Sequence, residues 1–342
     1  MPLWFGWLAW KRKQIKLGLI LLFAWGALLL LPQSRQRLAS TNIFQSQSGV
    51  QQRLEQKFAE TRNQPLWLTR TLHNKPVEYS LDFLRRYSSH FSPEFLFFSG
   101  DPLRPRYRVP DMGQLLWLEL PFLLIGLYLA VKKRQWWVLV WLGLAPLPAA
   151  LTFETPSAIR SYLMIVPLAI IIAYGISAVW LKLRLLVQVF LILLFSYNLI
   201  HYLDAYFIHA PVHQPYEWQG GYKELVNRVN ELMPGYDRAE ITDSRGTAYI
   251  YFLFYNRVDP AKWQQQSRQA LTDPDKFGFT TINHLENLNF VGEKCPAKIP
   301  ETGVLYVCTQ EDYPRAGFTQ FKDTINFDDG QPAFVLFEPT KE

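Results

Sequence analysis

Residues 162–180, YLMIVPLAIIIAYGISAVW, run for nineteen positions without a charged side chain. A run of that length and composition reads as a helix able to cross a bilayer core of roughly 30 Å. The flanks repeat the pattern on both sides. After Lys182 and Arg184 comes 185–200, LLVQVFLILLFSYNLI, which passes into the polar-aromatic stretch SYNLIHYLDAYF. Before the run lie 136–151, a short window with Pro146 and Pro148 near its end, and 112–131, which holds Glu119 followed by Pro121. A fifth window, 15–31, sits inside IKLGLILLFAWGALLLLP. The reading is a polytopic α-helical membrane protein of about five transmembrane helices, with an extracytoplasmic helical loop and a C-terminal extracytoplasmic α/β domain.

The whole-chain averages conceal this. The 342 residues are 49% hydrophobic and carry a formal charge of +6, with a mean hydropathy of −0.03. Length alone would suggest two soluble domains. Divided by region, the charge is +4 over 1–32, +5 over 33–111, +3 over 112–205 and −6 over 206–342. These four regions are the expected domains: N-terminus and first span, outer loop, four further spans, and α/β tail. A basic membrane half joined to an acidic tail excludes a soluble cytosolic enzyme and makes nucleic acid an unexpected partner.

The short flanks set the orientation. Lys11, Arg12, Lys13 and Lys16 precede the first window, Lys132, Lys133 and Arg134 join the second to the third, and Lys182 and Arg184 join the fourth to the fifth. If every window spans, all three basic clusters share one side, so the N-terminus is cytoplasmic and the chain is a multi-pass protein of the plasma membrane. The outer loop's own positive charge is no objection, because loops longer than roughly 60 residues escape the rule. A secretory signal with RLAS as its cleavage site fits less well, since MPLWFGWLAW is apolar and aromatic ahead of its basic cluster. That opening resembles the end of an earlier membrane segment, so the chain is expected to begin within a larger protein.

In the outer loop, GVQQRLEQKFAETR (49–62) has helical spacing, with Val50, Leu54 and Phe58 on one face. PVEYSLDFLRRYS (76–88) opens with a proline suited to a first helical turn and places Val77, Leu81, Leu84 and Tyr87 on one stripe. The phenylalanine-rich HFSPEFLFFSGDP follows. Such a segment suits either the outer headgroup boundary or a small helical subdomain packed on the spans. In the tail, YKELVNRVNELM and PAKWQQQSRQAL read as helices, while RAEITD, TAYIYFLFY, VLYVCT and AFVLFEP read as strands, giving a small sheet covered by helices. It carries no glycine-rich phosphate loop and no nucleophile elbow. The only cysteines, Cys295 and Cys308, are candidates for a structural disulfide in an oxidising compartment, bridged or unbridged being left open. No cofactor motif appears. A divalent cation finds no visible ligand set, since His209 and His213 lack a third ligand nearby.

Chemistry concentrates before the second window, at Asp101, Arg104, Arg106, Tyr107, Arg108 and Asp111. Arg104, Arg106 and Arg108, with Arg160 ahead of the fourth window, are candidates to clamp a lipid phosphate, because guanidinium forks match phosphate oxygens and stay charged. The alternative is contact with lipid headgroups alone. Glu119, about two turns into its span, is a candidate because membrane burial of a carboxylate is costly, although it could equally partner a neighbouring helix. His90, Glu94 and Asp101 are outer acid or base candidates.

HNKPVEYSLDFLRRYSSHFSPEFLFFSGDP (73–102), followed by RPRYRVPDMGQLLWLELPFLLIGL (104–127), resembles the middle of bacterial C-type membrane glycosyltransferases. These are relatives of protein O-mannosyltransferases and of the lipid A aminoarabinose transferase. PSAIRSYLMIVPLAIIIAYGISAVW, with its Pro-x-x-x-Arg, resembles a later span, and ITDSRGTAYIYFLFYNRVDP a tail of close relatives. The resemblance implies transfer of a sugar from a polyprenyl-phosphate donor to an acceptor on the outer face, with Arg106 and Arg160 near the lipid phosphate. Tyr107 stands where the family commonly has His. The family's catalytic acids lie in its first outer loop, yet SRQRLASTNIFQSQSGVQQRLEQ contains no aspartate. The chain therefore resembles the C-terminal half of such an enzyme without its catalytic front, as expected either of a truncated or split gene whose catalytic residues lie upstream or of a degenerate relative. The rival expectations are a non-catalytic membrane subunit whose outer domain binds a partner or glycan and, less favoured, a polysaccharide ligase.

Overall fold

The computed structural model describes residues 42–44, 49–61, 65–243, 247–272, 280–292, 295, 301–309 and 320–339. The first apolar window, the N-terminal basic cluster and the start of segment 33–111 lie outside the described residues. The chain divides into two compact units, Met1–Tyr206 and Phe207–Glu342.

The first unit opens with three helices, α1 (Val50–Glu60), α2 (Leu66–Leu72) and α3 (Lys75–Ser89). Asn74 caps α3, its Oδ1 accepting the Val77 N–H at 3.0 Å, with Pro76 in the first turn. The buried face of α3 is polar. Glu78 and Asp82 point inward and bind Lys57 (2.6 Å) and Arg53 (2.5 Å) of α1. Of the apolar stripe, Leu84 is 57% exposed and Leu81 is also exposed, while Tyr87 is half-buried and donates to the Gly143 carbonyl at 2.8 Å. The helix is amphipathic as expected, with its ionic face inside.

Next come α4 (Leu120–Lys132), α5 (Trp136–Leu144), α6 (Leu147–Ala150), α7 (Ile165–Trp180) and α8 (Leu185–Asp204). Their core gathers Phe95, Phe97, Phe122, Val138 and Ile171. Among the described residues two helical runs are long and apolar enough to cross a membrane, Tyr162–Trp180 and Leu185–His213. The second and third windows form shorter helices. α4 has thirteen residues, about 20 Å at 1.5 Å per residue. The third window is split into α5 and α6 where Pro146 interrupts it.

The second unit contains α9 (Ala210–His213), α10 (Tyr222–Leu232), β1 (Arg238–Thr242), α11 (Ala248–Tyr255), α12 (Pro260–Ala270), β2 (His284–Leu285), β3 (Leu288–Val291), β4 (Val304–Thr309), β5 (Gln320–Asn326) and β6 (Pro332–Glu338). The sheet order is β2-β3-β1-β4-β6-β5. β1 runs parallel to β3 and β4, and the outer pairs are antiparallel. Leu225, Val226 and Val229 of α10 cover Ile241, Leu305, Val307 and Leu336. The opposite strand faces hold Val304, Tyr306 and Phe337 beside Cys308, which is disulfide-bonded to Cys295 with Cα atoms 5.4 Å apart.

One expected strand is a helix. TAYIYFLFY forms α11, because the Asp243 carboxylate accepts the N–H groups of Thr247 and Ala248, both at 2.9 Å, and starts the turn. Ala248 and Phe252, four apart, then share the buried face. The short strands β2 and β3 and the edge strand β5 were not read from the sequence.

Candidate anion-binding site

The segment 152–161, TFETPSAIRS, joins α6 to α7 and is held by groups from α3 and the stretch that follows it. Fully buried His90 lies with Nδ1 2.8 Å from the Arg86 carbonyl and Nε2 3.3 Å from the Ser157 backbone nitrogen. An amide N–H only donates, so Nε2 accepts and Nδ1 carries the proton, which makes the ring neutral. Burial pushes the imidazole below its ordinary range, in the same sense. Asp101, also fully buried, accepts the Leu103 and Arg104 N–H groups at Oδ1 (3.0 Å each) and the Ala158 N–H at Oδ2 (2.9 Å). Ser161 Oγ closes the turn on the Ser157 carbonyl at 2.6 Å.

On this frame stands Glu154. Arg104 Nη2 binds its Oε1 (2.5 Å) and Arg160 Nη2 binds its Oε2 (2.8 Å), while Arg160 Nη1 donates to Thr152 Oγ1 at 2.8 Å. Glu154 is 24% exposed, so two guanidinium groups from separate segments meet at a partly open position. Behind it Arg86 donates to the Thr152 and Phe153 carbonyls (3.1 and 2.6 Å) and to Asp82 (2.5 Å), which also holds Arg53. The charges run Arg53, Asp82, Arg86, loop backbone, and end in the Arg104–Glu154–Arg160 triad.

The four candidate arginines therefore separate into two groups. Arg104 and Arg160 converge. Arg106 lies over the Tyr107 ring at 5.1 Å, its Nε buried without a hydrogen-bond partner. Neither Arg106 nor Arg108 is ion-paired with a described residue. The four other polar candidates serve the backbone or a neighbour. His90 and Asp101 pin the loop, and Glu94 accepts from Ser99 Oγ. Glu119 accepts the Leu116 N–H at 2.9 Å and sits at the entry of α4 rather than two turns inside it. A carboxylate at that end satisfies an orphan amide. Sequence reading missed Glu154 as a participant, along with Arg86, Asp82 and Arg53. The one available signal was the single acid and single base in TFETPSAIRS. Among the described residues no group of three or more metal-binding side chains forms, and the His209 and His213 rings stand edge-on with centroids 6.3 Å apart.

Comparison of the chain with protein-family models, curated proteins and solved structures gives no match.

Proposed function

We propose that the chain is a five-span membrane protein of the glycosyltransferase type. In this reading it binds the phosphate of a polyprenyl-phosphate sugar at Arg104 and Arg160 and serves transfer of the sugar to an acceptor on the extracytoplasmic face. The observation that carries the reading is the convergence of these two arginines on one carboxylate. Glu154 presents two oxygens where a phosphate would present its own, so a lipid phosphate would compete with it for both forks. The surroundings agree. α8 is apolar and almost wholly uncovered, Leu186 being 83% exposed, which suits lipid contact. The disulfide suits an oxidising outer compartment. The N-terminus would be cytoplasmic and the tail extracytoplasmic. The reaction would be base-assisted attack of an acceptor hydroxyl on the anomeric carbon, the lipid phosphate leaving toward the arginines. The base is assigned to a residue outside this stretch of sequence.

The test is binding of a polyprenyl phosphate to the purified full chain in detergent. Arg104→Gln and Arg160→Gln should each weaken it about tenfold, the scale of one charged hydrogen bond, and Arg108→Gln should not. If all three variants keep wild-type affinity, the arginines only meet headgroups. Sugar transfer by the purified chain alone would overturn the assignment of the base.

A second reading, a non-catalytic membrane subunit whose outer domain binds a partner or glycan, is favoured by the use of His90 and Asp101 as backbone pins.

A further inference from the structure

A groove of about 630 Å³ opens between α3 and the turn at Ile43–Phe44, walled by Ile43, Phe44, Tyr79, Phe83, Leu84 and Leu151. The Phe44 and Tyr79 rings close one side, with centroids 5.0 Å apart. Lys75, the first residue of α3, lies at the groove, exposed and not ion-paired with a described residue. The walls hold hydrocarbon and aromatic surface, so the occupant is apolar over most of its length. An ammonium at the lining without an ion-pair partner among the described residues calls for an anionic head.

We propose that this groove takes one acyl chain of an anionic bilayer phospholipid, whose phosphate meets the Lys75 ammonium. Two further observations select a bilayer lipid. Ile43 donates its backbone N–H to the Leu151 carbonyl at 3.0 Å, which fixes the groove against the end of the apolar segment 136–150. The end of such a segment is where hydrocarbon gives way to headgroups. The polar face of α3 is also consumed internally by Arg53, Lys57 and Arg86, which leaves its apolar face as the one turned outward. This ordinary lipid would be structural and separate from the donor site at Glu154.

The experiment is native mass spectrometry of the purified full chain in mild detergent, titrated with phosphatidylglycerol and, separately, with phosphatidylcholine. The wild type should retain one phosphatidylglycerol tightly. Lys75→Glu should weaken that binding by at least about fivefold, the scale of one basic side chain at a lipid surface. Phosphatidylcholine binding should change less. Ser80→Trp, at an exposed position lining the groove, should reduce binding of both lipids. Should Ser80→Trp fail to fold, Ser80→Leu replaces it, and an unchanged melting temperature of Lys75→Glu certifies that variant. Equal phosphatidylglycerol affinity in all proteins overturns the proposal, as does a wild type that binds polyprenyl phosphate but no phospholipid.

Discussion

The carbonyl oxygen of Ile171 in α7 lies where a β-carbon on Gly126 in α4 would stand 1.9 Å away. The contact is reciprocated one turn along, where a β-carbon on Gly175 would stand 1.9 Å from the Phe122 carbonyl oxygen. The two backbones touch because both helices offer a glycine at the crossing, where the missing side chains let the backbones approach closely. Backbone, unlike a flexible side-chain end, cannot step aside. Gly126→Ala and Gly175→Ala should each destabilise the protein by about 2–3 kcal/mol through overpacking. Gly143→Ala, which would meet only the Tyr87 hydroxyl at an ordinary 3.6 Å, should be near neutral. Thermal unfolding of the three variants in detergent separates these outcomes.

The ionic face of α3 should behave asymmetrically. Asp82 is buried and serves both Arg53 and Arg86. Asp82→Ala leaves two cations without their carboxylate and should cost about 3–5 kcal/mol. Arg53→Ala removes a half-exposed partner and should cost about 1 kcal/mol, since Arg86 still neutralises Asp82. Equal losses in chemical denaturation would show that Asp82 is not the hub.

His90 links stability to pH. Its imidazole is held below the ordinary value of about 6.5 by burial, so the folded state takes its proton later than the unfolded chain does. The unfolded state then binds more protons in the window below 6.5, and stability falls as pH drops through it. Above that window the contribution is constant. Glu78, held below the usual carboxylate range first by its hydrogen bond to Lys57, adds a loss only at more acid pH, when it too protonates. Unfolding curves between pH 7 and 5 should slope for the wild type and flatten for His90→Gln.

The disulfide closes a loop with a sequence separation of 13, and loops of that size are worth about 3 kcal/mol in the chain-entropy account. Cys308→Ser should lower the unfolding free energy of the second unit by that order. Dithiothreitol should do the same to the wild type and nothing further to the variant.

Much of the fold was legible because it rests on periodicity. The apolar runs that become α7 and α8 and the amphipathic spacing of α1, α3 and α10 are local signals, as are the buried strands β1, β4 and β6. The exceptions have local reasons too. TAYIYFLFY is aromatic enough for either a strand or a helix, and Asp243 decides for the helix by capping it. Glu119 lies within an apolar window, and only the helix boundary at Leu120 places it at the helix entry.

What the sequence by itself determined is where apolar length, charge and helical stripes lie, since these depend on neighbours a few residues apart. Only the tertiary structure decided which face of α3 turns inward, and that Arg104 and Arg160 share Glu154. It also decided that His90 and Asp101 spend their polarity on the backbone of segment 152–161. Those outcomes depend on partners 50 or more residues apart in the chain for Arg104, His90 and Asp101. Buried polar groups must find hydrogen-bond partners wherever the packing puts them, and no spacing rule records that distance.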